Sequence, residues 1–194
     1  MNILFIHQNM PGQFKYLAAH LAKTHSVVFI SCNNGVELPN IRKKIIQHHQ
    51  PPKDSSIHHY LKSVEPMIYN GQACFRACKE LKDDGFIPDV IYGHPGWGDM
   101  LFIKDIFPKT PVINYCEFYY RGTGADVHFN TDTINLNTLA RTRIKNTHLL
   151  SSLESCDYGI SPTKWQQSLH PKEFHQKIRV CHEGIQTNYV KPND

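Results

Sequence analysis

The chain opens on a short apolar run, NILFI at residues 2–6, and then alternates such runs with amphipathic or polar stretches. Similar runs recur at 26–31 (SVVFIS), 89–92 (DVIY), 111–116 (PVINYC), 157–161 and 178–181. Each predicts a strand, and a continuously apolar run is what a parallel strand covered on both faces requires. Residues 41–46 predict a weaker strand. Between the strands, Phe14, Leu17, Ala18 and Leu21 fall at helical spacing and predict a helix over 11–23. A long helix is predicted over 66–82 and stopped by Asp83-Asp84-Gly85. Shorter helices are predicted over 99–106 and 162–169, and one continuous helix over 137–155. A turn is expected at 33–35, a loop at 47–53 broken by Pro51-Pro52, and an irregular aromatic segment at 117–130. Strands alternating with helices imply an α/β fold: a Rossmann-like, doubly wound parallel sheet with helices on both faces.

In such sheets ligands bind beyond the carboxyl ends of the strands. The residues that follow each strand are therefore the candidates for chemistry. After the first strand, HQNMPGQF brings Gly12 to the start of a helix, where bare N–H groups favour an anion; a plain turn residue is the alternative. After the fourth, residues 93–99 crowd three glycines, His94, Trp97 and Asp99 into one turn. There Trp97 would stack on a sugar ring, Asp99 would cap the next helix and His94 would exchange protons near pH 7. The alternative is a structural cap and a tryptophan core plug. After the fifth, Glu117 precedes Phe118, Tyr119, Tyr120 and Arg121. Glu117 suits a base or an acceptor of sugar hydroxyl bonds, and Arg121 suits a clamp on phosphate or carboxylate. The alternative is a buried Glu117–Arg121 ion pair with both tyrosines in the core. In the helix over 137–155, Arg141, Lys145, His148 and Ser152 share one face, which reads as a solvated basic stripe, with attraction to phosphate or a membrane surface as the alternative.

Composition narrows the class. The chain has 194 residues, 40% hydrophobic and 20% charged, which is globular and sized for one domain. No apolar run approaches the ~20 residues of a membrane span, and MNILFIH lacks the basic region of an export signal. A cytoplasmic protein, at most peripheral to a membrane, is expected. The net charge of +4 and pI near 8.7 are mild; they suit anionic partners and do not demand nucleic acid. A basic run at 42–44 offers a contact for an anionic surface. The six cysteines show no C-x-x-C spacing and are expected to be reduced; Cys74 and Cys78 would share a helix face. The 13 histidines, including His48-His49 and His58-His59, come without a set of spaced metal ligands. G-x-G-x-x-G is absent, which argues against a dinucleotide oxidoreductase.

Taken in order, NILFIHQNMPGQFKYLAAHLA, YGHPGWGDMLFIKDIFP, YCEFYYRGTGADVHFNTD, SPTKWQQSLHP and VCHEGIQT resemble the N-terminal domain of bacterial family 4 glycosyltransferases, in the subgroup with HPGWGD and EFYY. The resemblance spans essentially the whole chain. It implies one half of a GT-B fold, a retaining enzyme with two Rossmann-like domains and usually no bound metal. No cofactor is implied beyond a nucleotide-diphosphate sugar as donor. By this resemblance residues 1–184 form the acceptor-side domain and 185–194 start the interdomain linker. A C-terminal donor domain carrying two spaced glutamates would be the partner, and the chain alone would not turn over. The acceptor would be a glycan or a lipid-linked molecule, in cell-surface polysaccharide assembly. Carried over to this sequence, Gly12 and Gln13 would meet the donor diphosphate, and His94 and Glu117 would be catalytic. Trp97, Asp99, Tyr119, Tyr120 and Arg121 would bind the acceptor. The family often places a histidine where this chain has Glu117. A non-catalytic carbohydrate- or phosphate-binding module is the alternative function.

Overall fold

The computed structural model describes residues 1–33, 36–48, 56–129, 133 and 135–192; the turn at 33–35 and the loop at 47–53 fall largely outside them. Seven parallel strands are found there: β1 Asn2–Ile6, β2 Ser26–Ser31, β3 Ile41–Ile45, β4 Val90–Gly93, β5 Val112–Tyr115, β6 Tyr158–Ser161 and β7 Ile178–Val180. Their order is β3-β2-β1-β4-β5-β6-β7. The chain builds outward from β1 in one direction, then restarts on the other side of β1 with β4. The strand order reverses there, and a crevice opens at the strand ends of such a reversal.

Alternate residues of the central strands feed two cores. Leu4, Ile6, Val28, Ile30 and Ile91 face helices α2 (Glu65–Asp83) and α3 (Ile103–Ile106). Phe5, Val27, Phe29 and Tyr92 face the opposite layer, with Phe14 and Ala18 of the α1 region (Lys15–Leu21). Phe5 pairs in register with Phe29 and Tyr92, and Phe14 packs across the row at 5.2 Å from Phe5 and 4.6 Å from Tyr92. Burying side chains of this size contributes roughly 1.5–3 kcal/mol each. The outer strand β3 carries the basic run: Lys43 pairs with Glu37 and Lys44 with Glu80, each at 2.5 Å. Charges on an edge strand discourage pairing with other chains.

Helix α2 begins with Pro66 in its first turn and ends in a Schellman closure. Gly85 sits at φ +84°, its N–H reaching Lys82 O, while Phe86 N–H reaches Leu81 O. Cys74 and Cys78 share its buried face, and all six cysteines are free thiols.

Local departures from the sequence expectation cluster around the strand tips. Residues 12–14 form a 3-10 turn before α1, and 172–177 form a second such turn that the pattern does not announce. The helix expected over 99–106 is regular only at Ile103–Ile106. The helix expected over 137–155 is two helices, α4 (Leu136–Lys145) and α5 (Thr147–Ser155), separated at Asn146 where ψ is −2°. The cause is tertiary: the Asn146 amide accepts from Tyr120 N–H at 3.1 Å and donates to Tyr120 O at 2.8 Å. The expected basic stripe breaks with it. His148 and Ser152 are buried, and the His148 ring lies 3.2 Å from Gly96 O. Helix α6 (Lys164–Leu169) starts on Thr163, whose hydroxyl accepts from Gln166 N–H.

Asn146 satisfies two partly buried backbone groups at once, and stranding such groups costs about 1–3 kcal/mol. Asn146→Ala is expected to lower stability by that amount in urea denaturation, with the exposed Lys23→Ala as control. Equal midpoints for the two variants would remove Asn146 as the anchor of this loop.

Candidate active site

Three strand tips meet at the reversal. His7 follows β1, His94 follows β4, and Glu117 lies two residues beyond β5. The sheet ladder continues through both histidines: His7 N–H donates to Ile30 O and His94 N–H to Ile6 O. Their rings are therefore held side by side, 5.1 Å apart and nearly perpendicular. Both are buried, at 3% and 5% exposure.

The hydrogen bonds decide which nitrogen carries each proton. His7 Nδ1 accepts from Asn9 N–H at 2.9 Å, and His94 Nδ1 accepts from Gly96 N–H at 3.0 Å. Each ring then carries its proton on Nε2 and donates there. His94 Nε2 donates to Glu117 Oε2 at 2.8 Å. His7 Nε2 donates to Gln13 Oε1 at 2.6 Å, and Gln13 Nε2 donates to Glu117 Oε1 at 3.3 Å. Two donor chains thus end on one carboxylate. In this arrangement His94 donates to Glu117 through Nε2 and accepts from Gly96 N–H through Nδ1.

Glycine makes this packing sterically possible. Gly12 has φ +48°, and a Cβ there would come within 2.6 Å of the His7 ring. A Cβ on Gly96 would come equally close to His94. The two glycine-bearing turns are the surfaces on which the imidazoles lie.

The electrostatics follow. Burial, helped by the neighbouring His94, lowers the His7 pKa to about 4, against the opposing pull of its bond to Gln13. The bond from His94 holds Glu117 below the ordinary carboxylate value, overcoming the effect of burial; Gln13 adds to it. Glu117 is thus an ionised, directed acceptor whose side chain stays 38% exposed. It borders a cavity of about 130 Å³ that also touches His94, Trp97, Tyr115 and Tyr120.

The other sequence candidates are distributed around this centre. Trp97 is half-buried against both imidazoles, 4.6 Å from His94 and 5.2 Å from His7. Asp99 does not cap the following helix, whose preceding residue Phe102 makes no side-chain cap. It lies beneath the loop at 1% exposure, with Oδ1 near His48 Nε2 (3.2 Å) and the Cys74 thiol, and with Oδ2 unpartnered among the described residues. No Glu117–Arg121 ion pair forms: Glu117 faces His94, and Arg121 donates to His170 O at 3.1 Å. Tyr119 is buried in a third core cluster with Leu149 and Leu153, under the Arg121 guanidinium. Tyr120 stands at the cavity wall with the Lys145 ammonium 3.4 Å from its ring centre.

Sequence reasoning missed His7 and the Tyr115–Glu183 hydrogen bond. The signal for His7 was its position: it stands one residue past β1, as His94 stands one residue past β4. Glu183 lies just beyond the end of β7; burial and this carboxylate together push the Tyr115 phenol pKa upward.

A histidine whose folded pKa lies below its unfolded value contributes stability above about pH 6.5, and that contribution is lost as pH falls toward 4. For His7 the loss between pH 7 and 4.5 is about 2 kcal/mol. His7→Asn is expected to flatten the pH dependence of urea stability by that amount over this range. An unchanged slope would mean that His7 is not held neutral.

Comparison with known proteins agrees with this architecture. Residues 23–190 match the model of the glycosyl transferase family 4 group. Among solved structures, sucrose-phosphate synthase from Thermosynechococcus elongatus superposes with a TM-score of 0.56 at 14% identity, over 97% of this chain and 91% of that one. The catalytic domain of starch synthase IV from Arabidopsis thaliana, bound to ADP and acarbose, also gives 0.56 at 14% identity, over 96% of this chain and 52% of that one. A UDP-glucosyltransferase from Polygonum tinctorium gives 0.56 at 9% identity, over 93% and 51%. At these identities the likeness is one of fold, and this chain spans about half the length of the last two. No match was found among curated protein sequences. The fold is one Rossmann-like half of the GT-B architecture, and by its match over residues 23–190 the chain belongs to the glycosyl transferase family 4 group.

Proposed function

We propose that this chain is the acceptor-side half of a retaining glycosyltransferase. It works with a donor-binding domain that holds a nucleotide-diphosphate sugar. The acceptor is a glycan or lipid-linked molecule of cell-surface polysaccharide assembly. The observation that carries the reading is the Glu117 carboxylate. It is ionised, fixed by His94 at 2.8 Å and by Gln13, and turned to a cavity at the strand-order reversal.

In this reading Glu117 accepts a hydrogen bond from the acceptor hydroxyl and aligns its oxygen with the donor anomeric carbon. Orientation of this kind removes much of the barrier to a bimolecular transfer. The negative charge near the reacting centre also favours the oxocarbenium-like transition state. His94 positions Glu117 from one side, and His7 acts from the other through Gln13. Trp97 and Tyr120 offer ring faces for the acceptor sugar, and the segment around Gly12 and Gln13 faces the donor diphosphate. The two spaced glutamates that grip the donor sugar belong to the partner domain.

The test is transfer by the longest product of the gene, followed by mass spectrometry over a panel of nucleotide sugars and glycan acceptors. Glu117→Gln keeps the shape and removes the charge. It is expected to lower kcat/KM on the order of 10²-fold, with the donor KM changed only a few-fold. Wild-type rates in this variant would refute the assigned role. Steady turnover by the 194-residue chain alone would refute the half-enzyme reading.

A further inference from the structure

A second concavity lies on the other side of Tyr120. It measures about 450 Å³ and is walled by the segment 119–123 and by the end of α4 with Asn146 and Leu150. Two guanidinium groups from different elements border it, Arg121 from the segment after β5 and Arg143 from the last turn of α4. The Lys145 ammonium sits over the ring of Tyr120, one of its walls, 3.4 Å from the ring centre. Among the described residues, no carboxylate borders it and none of these three cations is ion-paired. Arg121 is held in place, with Nη2 on His170 O and its Cζ 5.6 Å from the Tyr119 ring centre. Arg121 and Arg143, from different elements, border the same groove, and both oppose the burial that raises the Tyr119 pKa.

We propose that this groove binds an oxyanion on the acceptor, so that the substrate class is a sugar carrying a phosphate or carboxylate. The proposal rests on the acceptor-side reading given above. A guanidinium presents paired N–H donors that match either oxyanion, and a prefixed one loses little freedom on binding. Tyr120 is a wall of both this groove and the Glu117 cavity. A sugar lying on Tyr120, anchored through its anionic group by Arg121 and Arg143, would point its far hydroxyl toward Glu117. The aliphatic side of the groove, Leu139 and Leu150, suits the apolar face of the ring.

The test is an NMR titration of the ¹⁵N-labelled chain at low salt with glucose 6-phosphate, glucuronate, glucose and inorganic phosphate. At least one charged sugar is expected to bind ten or more times tighter than glucose, shifting amides at 121–123 and 143–146. Which one binds tells phosphate from carboxylate. Arg143→Gln removes an exposed side chain with no hydrogen bond among the described residues, so the fold should persist. It is expected to weaken the charged sugar about tenfold and leave glucose unchanged. Arg121→Gln should act in the same direction. Binding of glucose as tight as the charged sugars, indifference to Arg143→Gln, or no binding at all would overturn the proposal. So would inorganic phosphate binding as tightly as the phosphorylated sugar, since the sugar would then contribute nothing. The two readings fail separately: anion binding that persists while Glu117→Gln transfers normally sinks the transfer role alone. Transfer to a neutral acceptor that is untouched by Arg143→Gln sinks the oxyanion site alone.

Discussion

The site depends on one constraint, the reversal of strand order between β1 and β4. β1 lies between β2 and β4, and each ladder extends to the first residue beyond its strand: His7 N–H bonds to Ile30 O of β2 and His94 N–H to Ile6 O of β1. Backbone bonds of 3.1 Å from His7 and 2.9 Å from His94 hold two imidazoles in a place where neither could be set by its own turn. Among the described residues, the Glu117 carboxylate is held by His94 directly and by Gln13, which His7 holds in turn. The carboxylate is directed because the rings are fixed, and the rings are fixed because the sheet is.

Proton positions are decided by the same backbone. In both turns the N–H two residues on points at Nδ1, from Asn9 to His7 and from Gly96 to His94. That leaves Nε2 as the donor in each case and makes the two histidines the start of parallel relays to one acceptor. Burial of a neutral imidazole is tolerable only when both nitrogens are satisfied, and here both are. The glycines at 12 and 96 are the steric condition for this arrangement, since any side chain there would occupy the ring positions.

The segment after β5 is tied to the helical layer by Asn146. Its amide takes the place of a helical turn and binds the backbone of Tyr120, so that the helix break and the loop position are one event. The consequence is a concavity on either side of Tyr120: one bordered by Glu117 toward the sheet and one bordered by Arg121 and Arg143 toward α4. Buried His148, brought against Gly96 by the same break, closes the far side of the histidine turn.

Strands and helices were legible in the sequence because burial on two faces is written locally, in continuous apolar runs and in 3.6-residue spacing. The bounds of β1 and β2 coincide with those runs, and the Schellman stop of α2 was readable from Asp83-Asp84-Gly85. The motifs also placed Glu117 and His94 at the same sheet edge, where residues that follow strands collect. What the sequence withheld was partnership. Whether Glu117 meets Arg121 four residues away or His94 23 residues away is not a local property, and the contact from Gln13 spans 104 residues. Asn146 looked like an ordinary helix position, and Asp99 like a cap, because their partners come from elsewhere in the chain. Local patterning determined the layers and the Rossmann-like parallel sheet. Only the packing of distant strand tips decided that His94 and Gln13 meet at the Glu117 carboxylate and that Arg121 and Arg143 border one groove.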